Sequence, residues 1–313
     1  MSERKWTHQT AARLARCLEK RLGIQVSASV VRRLLGELKY SLKSNKKCLS
    51  SGNSPDRDAQ FQIIKQLREE FESRGDPCIS VDTKKKELIG PFKNPGRTWR
   101  LKAKKVKDHD FRSEAIGLAV PYGIYDPRMN FGVLVVGESV DTPEFAVNSI
   151  VTWWVNHGRF QYPTSKRLLI LADNGGSNGS RLRGWKKFLQ EKLADELGLT
   201  VTVAHYPTGT SKWNPIEHRM FSEISKNWAG EPLETFDMIT AFARNTRTAN
   251  GLEIEAYRDR RTYEKGKRVS DQELEQLAIT KGESIGHWNY TTSPRVQKIS
   301  IPTKSLVGEC FAA

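Results

Sequence analysis

Residues 78–81 read Cys78-Ile79-Ser80-Val81 and are followed by Asp82, while residues 168–171 read Leu168-Leu169-Ile170-Leu171 and are followed two positions later by Asp173. Runs this short, apolar and without helical spacing predict strands, the second of them fully buried. Working outward, Ala115 to Tyr125 and Phe131 to Val136 predict two further strands, joined by a turn at Asp126-Pro127-Arg128-Met129-Asn130. Thr142 is a good helix cap with Pro143 behind it, and the helix it opens ends near Gly158. A second helix carries Leu182, Trp185, Leu189, Leu193 and Leu197 and is closed by Gly198; Leu199 to Ala204 then predicts a fifth strand. Asn214-Pro215 starts a last helix with Met220, Phe221, Ile224 and Trp228 apolar. Beyond about residue 229 the pattern is irregular, and the tail from Ser293 has few core-forming residues. The order predicts an α/β fold, a mixed five-stranded sheet flanked by helices, which is the order of the RNase H-like fold.

Upstream, Ala11, Leu14, Ala15, Leu18 and Leu22 recur at helical spacing until Gly23. Ser27 caps a second helix with Val30, Val31, Leu34, Leu35 and Leu38 as its apolar stripe, and Arg32, Arg33 and Lys39 project elsewhere. This is the outline of a small all-α helix-turn-helix, whose second helix can enter a major groove. Many helix pairs bind no DNA, but Lys43, Lys46 and Lys47 follow directly. Residues 44–58 are rich in Ser, Asn, Gly, Pro and Asp and read as a linker. A short helix follows, with Phe61, Ile64, Leu67 and Phe71 on one face, closed by Gly75-Asp76-Pro77. The expected organisation is a DNA-binding region at 1–50, linker and short helix at 51–77, a catalytic domain at 78–290 and a tail at 291–313.

The chain has 51 Lys and Arg against 36 Asp and Glu, a net charge of +15. Residues 1–50 hold 12 basic and 3 acidic residues, and residues 84–107 hold 10 and 1, so these two windows exceed the whole surplus. Such windows suit phosphate contacts with counterion release, although basic runs are also how solvated loops look. Cys17, Cys48, Cys78 and Cys310 have neither zinc-finger nor redox spacing and read as reduced thiols of a cytosolic protein. No run approaches the ~18 apolar residues of a membrane span, and the N-terminus lacks a signal-peptide core.

Asp82 ends the first strand, Asp173 the fourth, and Glu217 lies in the first turn of the late helix. An RNase H-like sheet brings those three places to one edge. Three close carboxylates repel and raise one another's pKa, and divalent cations relieve that repulsion. Mg²⁺ prefers such oxygen ligands, and a pair of ions about 4 Å apart can clamp an in-line phosphoryl displacement. No convincing Cys/His set is present, which favours Mg²⁺ or Mn²⁺ over Zn²⁺. Each acid also has a plainer reading. Asp82 could simply end a strand, Asp173-Asn174-Gly175-Gly176 could be a turn, and Asn214 three before Glu217 resembles a capping box.

The segments Val81-Asp82-Thr83-Lys84-Lys85-Lys86-Glu87, Ala172-Asp173-Asn174-Gly175-Gly176-Ser177-Asn178 and Gly209-Thr210-Ser211-Lys212-Trp213-Asn214-Pro215-Ile216-Glu217-His218-Arg219 resemble the ISAzo-type bacterial insertion-sequence transposases, within the DDE transposase and retroviral-integrase superfamily. The resemblance runs from about Thr10 to Tyr290. It implies an RNase H-like fold, two Mg²⁺ ions with Mn²⁺ able to substitute, and no organic cofactor. Asp82 would bridge both ions, Asp173 would bind one and Glu217 the other. The implied activity is cleavage of DNA at element ends and transfer of the freed 3′-hydroxyl into target DNA. The implied partners are transposon ends, target DNA and further copies of the chain, with no membrane, in the bacterial cytoplasm and on the nucleoid. Family members carry more sequence ahead of the segment matching Thr10, so a truncated or divergent copy is also expected. Two alternatives stay open: a metal-dependent nuclease that does not join, and a relic that only binds DNA.

Supporting residues follow. Lys84, Lys85, Lys86, Lys93, Arg97, Arg100, Lys102, Lys104, Lys105 and Lys107 are expected to track the DNA backbone. Trp99 could stack on a base or pack under a hairpin. His205, Lys212 and His218 could contact the scissile phosphate or order water, or serve packing and surface. Gly175, Gly176 and Asn178 would let backbone approach the metal site or merely form the strand-to-helix turn.

Overall fold

A computed structural model describes residues 7–43 and 55–295. Lys46, Lys47, Cys48, Cys310, most of the expected linker and the tail beyond Arg295 lie outside the described residues. The chain divides into two compact units, residues 1–50 and 51–313.

In the first unit, α1 (Ala11–Leu22) and α2 (Ala28–Glu37) pack on each other. Thr10 and Ser27 cap them by accepting from Arg13 N and Val30 N, and Gly23 ends α1 at φ 68°. Ala15 and Val31 are the buried apolar side chains of this unit, and Arg32 and Arg33 are exposed.

The second unit opens with α3 (Arg57–Arg74), ended by Gly75 in the left-handed region. The stretch expected to be linker and short helix is therefore mostly an eighteen-residue helix. Its Ile64 and Phe71 pack on Leu169, Leu171, Ala204 and Tyr206, which makes it part of the sheet's helical cover. The strands are β1 (Cys78–Thr83), β2 (Glu87–Ile89), β3 (Gly117–Asp126) and β4 (Phe131–Gly137). After them α4 (Pro143–Trp153), capped by Thr142, continues through a π-helical turn at Trp154–Gly158 into α5 (Arg159–Gln161). Next come β5 (Arg167–Ala172), α6 (Arg183–Phe188), which a π-helical turn extends to Asp195, and β6 (Thr200–His205). A π-helical turn at Glu217–Phe221 leads into α7 (Ser222–Asn227).

Strand order in the centre is β4-β3-β1-β5-β6. β1 pairs antiparallel with β3, β3 antiparallel with β4, β1 parallel with β5, and β5 parallel with β6. This is the RNase H-like order. The sheet is larger than the five strands expected. α8 (Phe236–Arg244) precedes β7 (Glu253–Asp259), which adds parallel to β4, while α9 (Asp271–Glu275) precedes β8 (Ile279–Lys281) and β9 (Asn289–Thr292), which extend the sheet beyond β6. With β2 on β3, the described residues form nine strands. The edge strands β7 and β8 carry charges such as Glu253, Glu255, Arg258 and Lys281, so they lack the apolar runs that reveal central strands. β9 also runs past residue 290, where the sequence pattern placed the end of the catalytic domain.

One sheet face buries Ile79, Val81, Val133, Ile170 and Val203 under α4 and the α6 helix. The other buries Tyr125, Leu134, Val136 and Ile254 under Ile216, Met220, Phe221, Ile224 and α8. Two glycines make room on that second face. A Cβ on Gly123 would stand 2.4 Å from the Phe221 ring and 2.8 Å from Ile216, and one on Gly132 would stand 2.8 Å from Met220 sulfur. The helix that begins at Glu217 therefore lies close against β3 and β4.

Candidate active site

Asp82 is the penultimate residue of β1, a strand paired on both sides up to Val81. It pairs with Gly123 of β3, and its neighbour Val81 pairs with Ala172 of β5. Asp173 follows the last residue of β5. Parallel neighbouring strands bring these two acids to one end of the sheet.

Glu217 reaches the same place by a different route. Ser80 Oγ donates to Asn214 Oδ1, Asn214 Nδ2 donates to Val81 O at 3.2 Å, and Ile216 N donates to Ser80 Oγ at 3.2 Å. All of these groups are buried. The segment before Glu217 is thus fastened to β1 two residues before Asp82. Asn214 does not close a capping box, since its side chain is spent on β1 and no side chain caps the Glu217–Phe221 turn. The bare glycine opposite Asp82 admits Ile216 and Phe221, which flank Glu217.

The electrostatics register this convergence. Burial, then the charges of Asp173 and Glu217, push the Asp82 carboxyl up to about 8, and a hydrogen bond with Glu217 adds to the rise. Thr83 N donates to Asp82 Oδ1 at 2.7 Å and opposes it. Burial raises Asp173, while Gly175 N, 3.3 Å from its Oδ1, lowers it. Among the described residues no three His, Cys, Asp or Glu side chains stand close enough to hold an ion as they are placed. The donor set nevertheless suits a hard divalent cation. It is all oxygen, and burial together with the neighbouring carboxylates penalises the charged form of Asp82, a cost that a cation would relieve.

The supporting residues divide. Gly176 has φ 57° and forms the turn after β5. Asn178 is buried and accepts from Tyr122 Oη at 2.8 Å, so it ties that turn to β3. Gly175 is exposed with extended backbone. His205 is fully buried, its Nδ1 3.1 Å from Asp173 O and its Nε2 3.1 Å from Tyr290 Oη. It has no access to a scissile phosphate. Burial holds it down at about 4, so it is neutral at ordinary pH. His218 and Lys212 are exposed, and His218 Nε2 bonds Lys212 O.

The basic stretch also divides. Lys84 is buried, 3.3 Å from Glu87 and 4.5 Å from the centre of the Trp228 ring, so it packs the loop and does not face DNA. Lys86, Arg100, Lys104 and Lys107 are ion-paired with Asp141, Glu231, Glu234 and Glu114. Lys85, Lys93, Arg97, Lys102 and Lys105 are exposed. Trp99 is 103% exposed, so it packs under no hairpin. Asn94 Nδ2 fixes the base of this loop by donating to Trp228 O and Glu231 O at 2.9 and 3.0 Å.

Sequence reading overlooked Ser80, Gly123 and the tie made by Asn214. A serine inside an apolar strand and a glycine inside another were the available signals.

A family model described as "Rhodopirellula transposase DDE domain" matches residues 1–294. No curated protein matches the chain. Solved structures with some similarity include a Mos1 transposase paired-end complex with left transposon end (13% identity, TM-score 0.44) and a pre-cleavage Mos1 transpososome (14%, 0.43). A third is a mariner Mos1 paired-end complex with Mg (14%, 0.42). Each match covers 75% of this chain and 65% of the other, so this chain spans just under two thirds of the length of those it matches. No helix among the described residues is long and apolar enough to cross a membrane.

Proposed function

The chain belongs to the Rhodopirellula transposase DDE domain family, and from that premise we propose that it cuts DNA at the ends of a mobile element and joins the freed 3′-hydroxyl to target DNA. The observation that carries the reading is geometric: the pairing of β1 with β5 brings Asp82 and Asp173 to one sheet end, and the Ser80–Asn214 tie fastens the segment before Glu217 to β1. These three are the proposed catalytic residues and would hold the divalent cations, Mg²⁺ or Mn²⁺. When bound, the cations supply charge neutralisation for the attacking and leaving oxygens of an in-line displacement.

The chain's own groups do the rest. Asp82, on a strand paired on both sides up to Val81, sets the fixed point of the site. The Ser80–Asn214 tie holds Glu217 against it, and the Gly175 amide orients the Asp173 carboxylate. The exposed Lys85, Lys93, Arg97, Lys102 and Lys105, with Trp99 among them, are the proposed track for the DNA strand. α2, with Arg32 and Arg33, is the proposed end-recognition helix. Two or more protomers would bring two ends together, in the bacterial cytoplasm on nucleoid DNA.

The test supplies Mn²⁺ and DNA flanking the chain's own gene, and looks for nicked and joined products. Joined product is expected. Cleavage without joining would convert the reading to a nuclease, and salt-sensitive binding without cleavage would leave a DNA-binding relic.

A further inference from the structure

β5 and β6 stay in register up to the pair Ala172–His205. Asp173 is the first residue past that ladder, and a turn containing Gly175 and Gly176 follows it. Sheet pairing fixes the N-terminal side of the Asp173 Cα but leaves its carbonyl, and hence its ψ, without a ladder partner. The imidazole of His205 fills that place, with Nδ1 3.1 Å from Asp173 O.

The polarity of the contact follows from the atoms. A carbonyl oxygen only accepts, so Nδ1 carries the hydrogen and Nε2 is the acceptor. Tyr290 Oη, 3.1 Å from Nε2, then donates to it. Tyr290 Oη in turn accepts from Trp185 Nε1 at 2.8 Å. The result is a directed chain, Trp185 to Tyr290 to His205 to the carbonyl of Asp173. Trp185, Tyr290 and His205 are 0%, 2% and 0% exposed, so no water competes for these bonds. The backbone of His205 is held as firmly. Its N–H donates to Trp288 O at 3.0 Å, and its carbonyl accepts from Gln60 Nε2 at 2.9 Å. Gln60 and Asn289 also exchange side-chain hydrogen bonds, which links α3 to β9.

We propose that His205 is a positioning residue, and that the Trp185–Tyr290–His205 chain locks the peptide after Asp173 so that its carboxylate is pre-aimed at the site. β9 is thereby more than an extension of the sheet, since it contributes the hydroxyl that fixes the tautomer and plane of the imidazole. The inference rests on the reading of Asp173 as a metal-binding carboxylate, but the lock itself is measurable without metal.

The experiment uses the full chain and three variants. His205→Leu removes the donor. Tyr290→Phe removes the hydroxyl that orients the ring. His205→Asn keeps an amide donor close to the Nδ1 position. Hydrogen–deuterium exchange is followed at residues 173–180 without metal, and Mn²⁺ affinity is measured by calorimetry with a short duplex. In His205→Leu and Tyr290→Phe, exchange at 173–180 is expected to accelerate about tenfold while β1 and β5 keep their protection, with Mn²⁺ affinity falling in parallel. His205→Asn is expected to stay near wild type in both readouts. In an Asp173→Asn background, His205→Leu is expected to cause no further loss of Mn²⁺ affinity. Unchanged exchange at 173–180 in both His205→Leu and Tyr290→Phe overturns the lock. So does loss of protection spread evenly over the sheet, which would mark an ordinary core residue. If wild type binds no Mn²⁺, the proposed function falls and the exchange data still decide the lock.

Discussion

In the sheet unit whole strands are sealed from water, whereas in the N-terminal helix pair Leu22, Leu38 and Leu42 stand 65%, 68% and 104% exposed and burial is confined to Ala15 and Val31. Full burial of a leucine is worth about 1.5–3 kcal/mol, so the sheet unit holds its side chains far more firmly than the helix pair does. The contrast suits different tasks. The proposed site, with three carboxylates carried on separate elements, would need a packed core to hold them in place. The proposed end-recognition helix, laying arginines on phosphate, would need charge and reach, and much less rigidity. Both units contain strongly basic segments, yet only the sheet unit spends a lysine, Lys84, inside its own packing.

Four experiments break or sharpen this contrast. The largest effect is expected from Asp82→Asn, Asp173→Asn or Glu217→Gln. Each should lower DNA cleavage on the order of 10³-fold or more while circular dichroism shows an intact fold. Near-normal cleavage by any one removes that acid from the chemistry. Next comes Arg32→Ala combined with Arg33→Ala. It should weaken DNA binding roughly 10- to 100-fold and flatten its salt dependence, with cleavage at saturating DNA unchanged. Equal affinity and an equal salt slope would leave α2 without a role in binding.

Glycine substitutions compare the two cores directly. A Cβ on Gly123 collides with Phe221 and Ile216, whereas one on Gly36 of α2 meets nothing within 4 Å. Gly123→Ala should cost about 1–3 kcal/mol in urea unfolding through overpacking and also reduce cleavage. Gly36→Ala should be neutral or add up to about 1 kcal/mol, because alanine is the better helix former. Equal effects at both sites would mean the helix of Glu217 does not depend on close approach to β3.

The smallest effect concerns pH. The Asp82 pKa is about 8 in the folded chain against 3.8 for an ordinary Asp, so the folded state binds the proton more tightly. Its contribution to stability is full below pH 3.8 and is lost as pH rises through 8. His205, at about 4 against 6.5, works in the opposite sense, and stability is lost as pH falls from 6.5 towards 4. With chelator present, the melting temperature of Asp82→Asn relative to wild type should therefore rise between pH 5 and 8. Mn²⁺ at pH 8 should raise the wild type alone. A difference that does not vary with pH would show that Asp82 is not strained by its neighbours.

Much was legible in the residues themselves. Leu168–Leu171 read as a buried strand, Thr142-Pro143 and Ser27 opened helices where their capping chemistry said they would, and the two acids at strand ends drew notice only together with Glu217, since each alone had a plainer reading. The lettering of the three acid-bearing segments carried the family resemblance, and the family match covers the same stretch. Periodicity and capping are properties of neighbouring residues, so sequence determined these elements, their order and the basic windows.

What the sequence left undecided depends on residues far apart along the chain. Ser80 and Asn214 are 134 positions apart, as are Asn94 and Trp228, and Gln60 and Asn289 are 229 apart. No local pattern announces that Asn214 abandons a helix cap for a strand, that Gly123 clears a path for Phe221, or that Lys84 turns inward to Trp228. The outer strands β7, β8 and β9 were equally silent, since pairing with an existing sheet stabilises them more than their own composition does. Sequence supplied three acids on three elements. Only the tertiary structure lets Asp82 feel Asp173 and Glu217, because a charge acts through space whatever its distance along the chain.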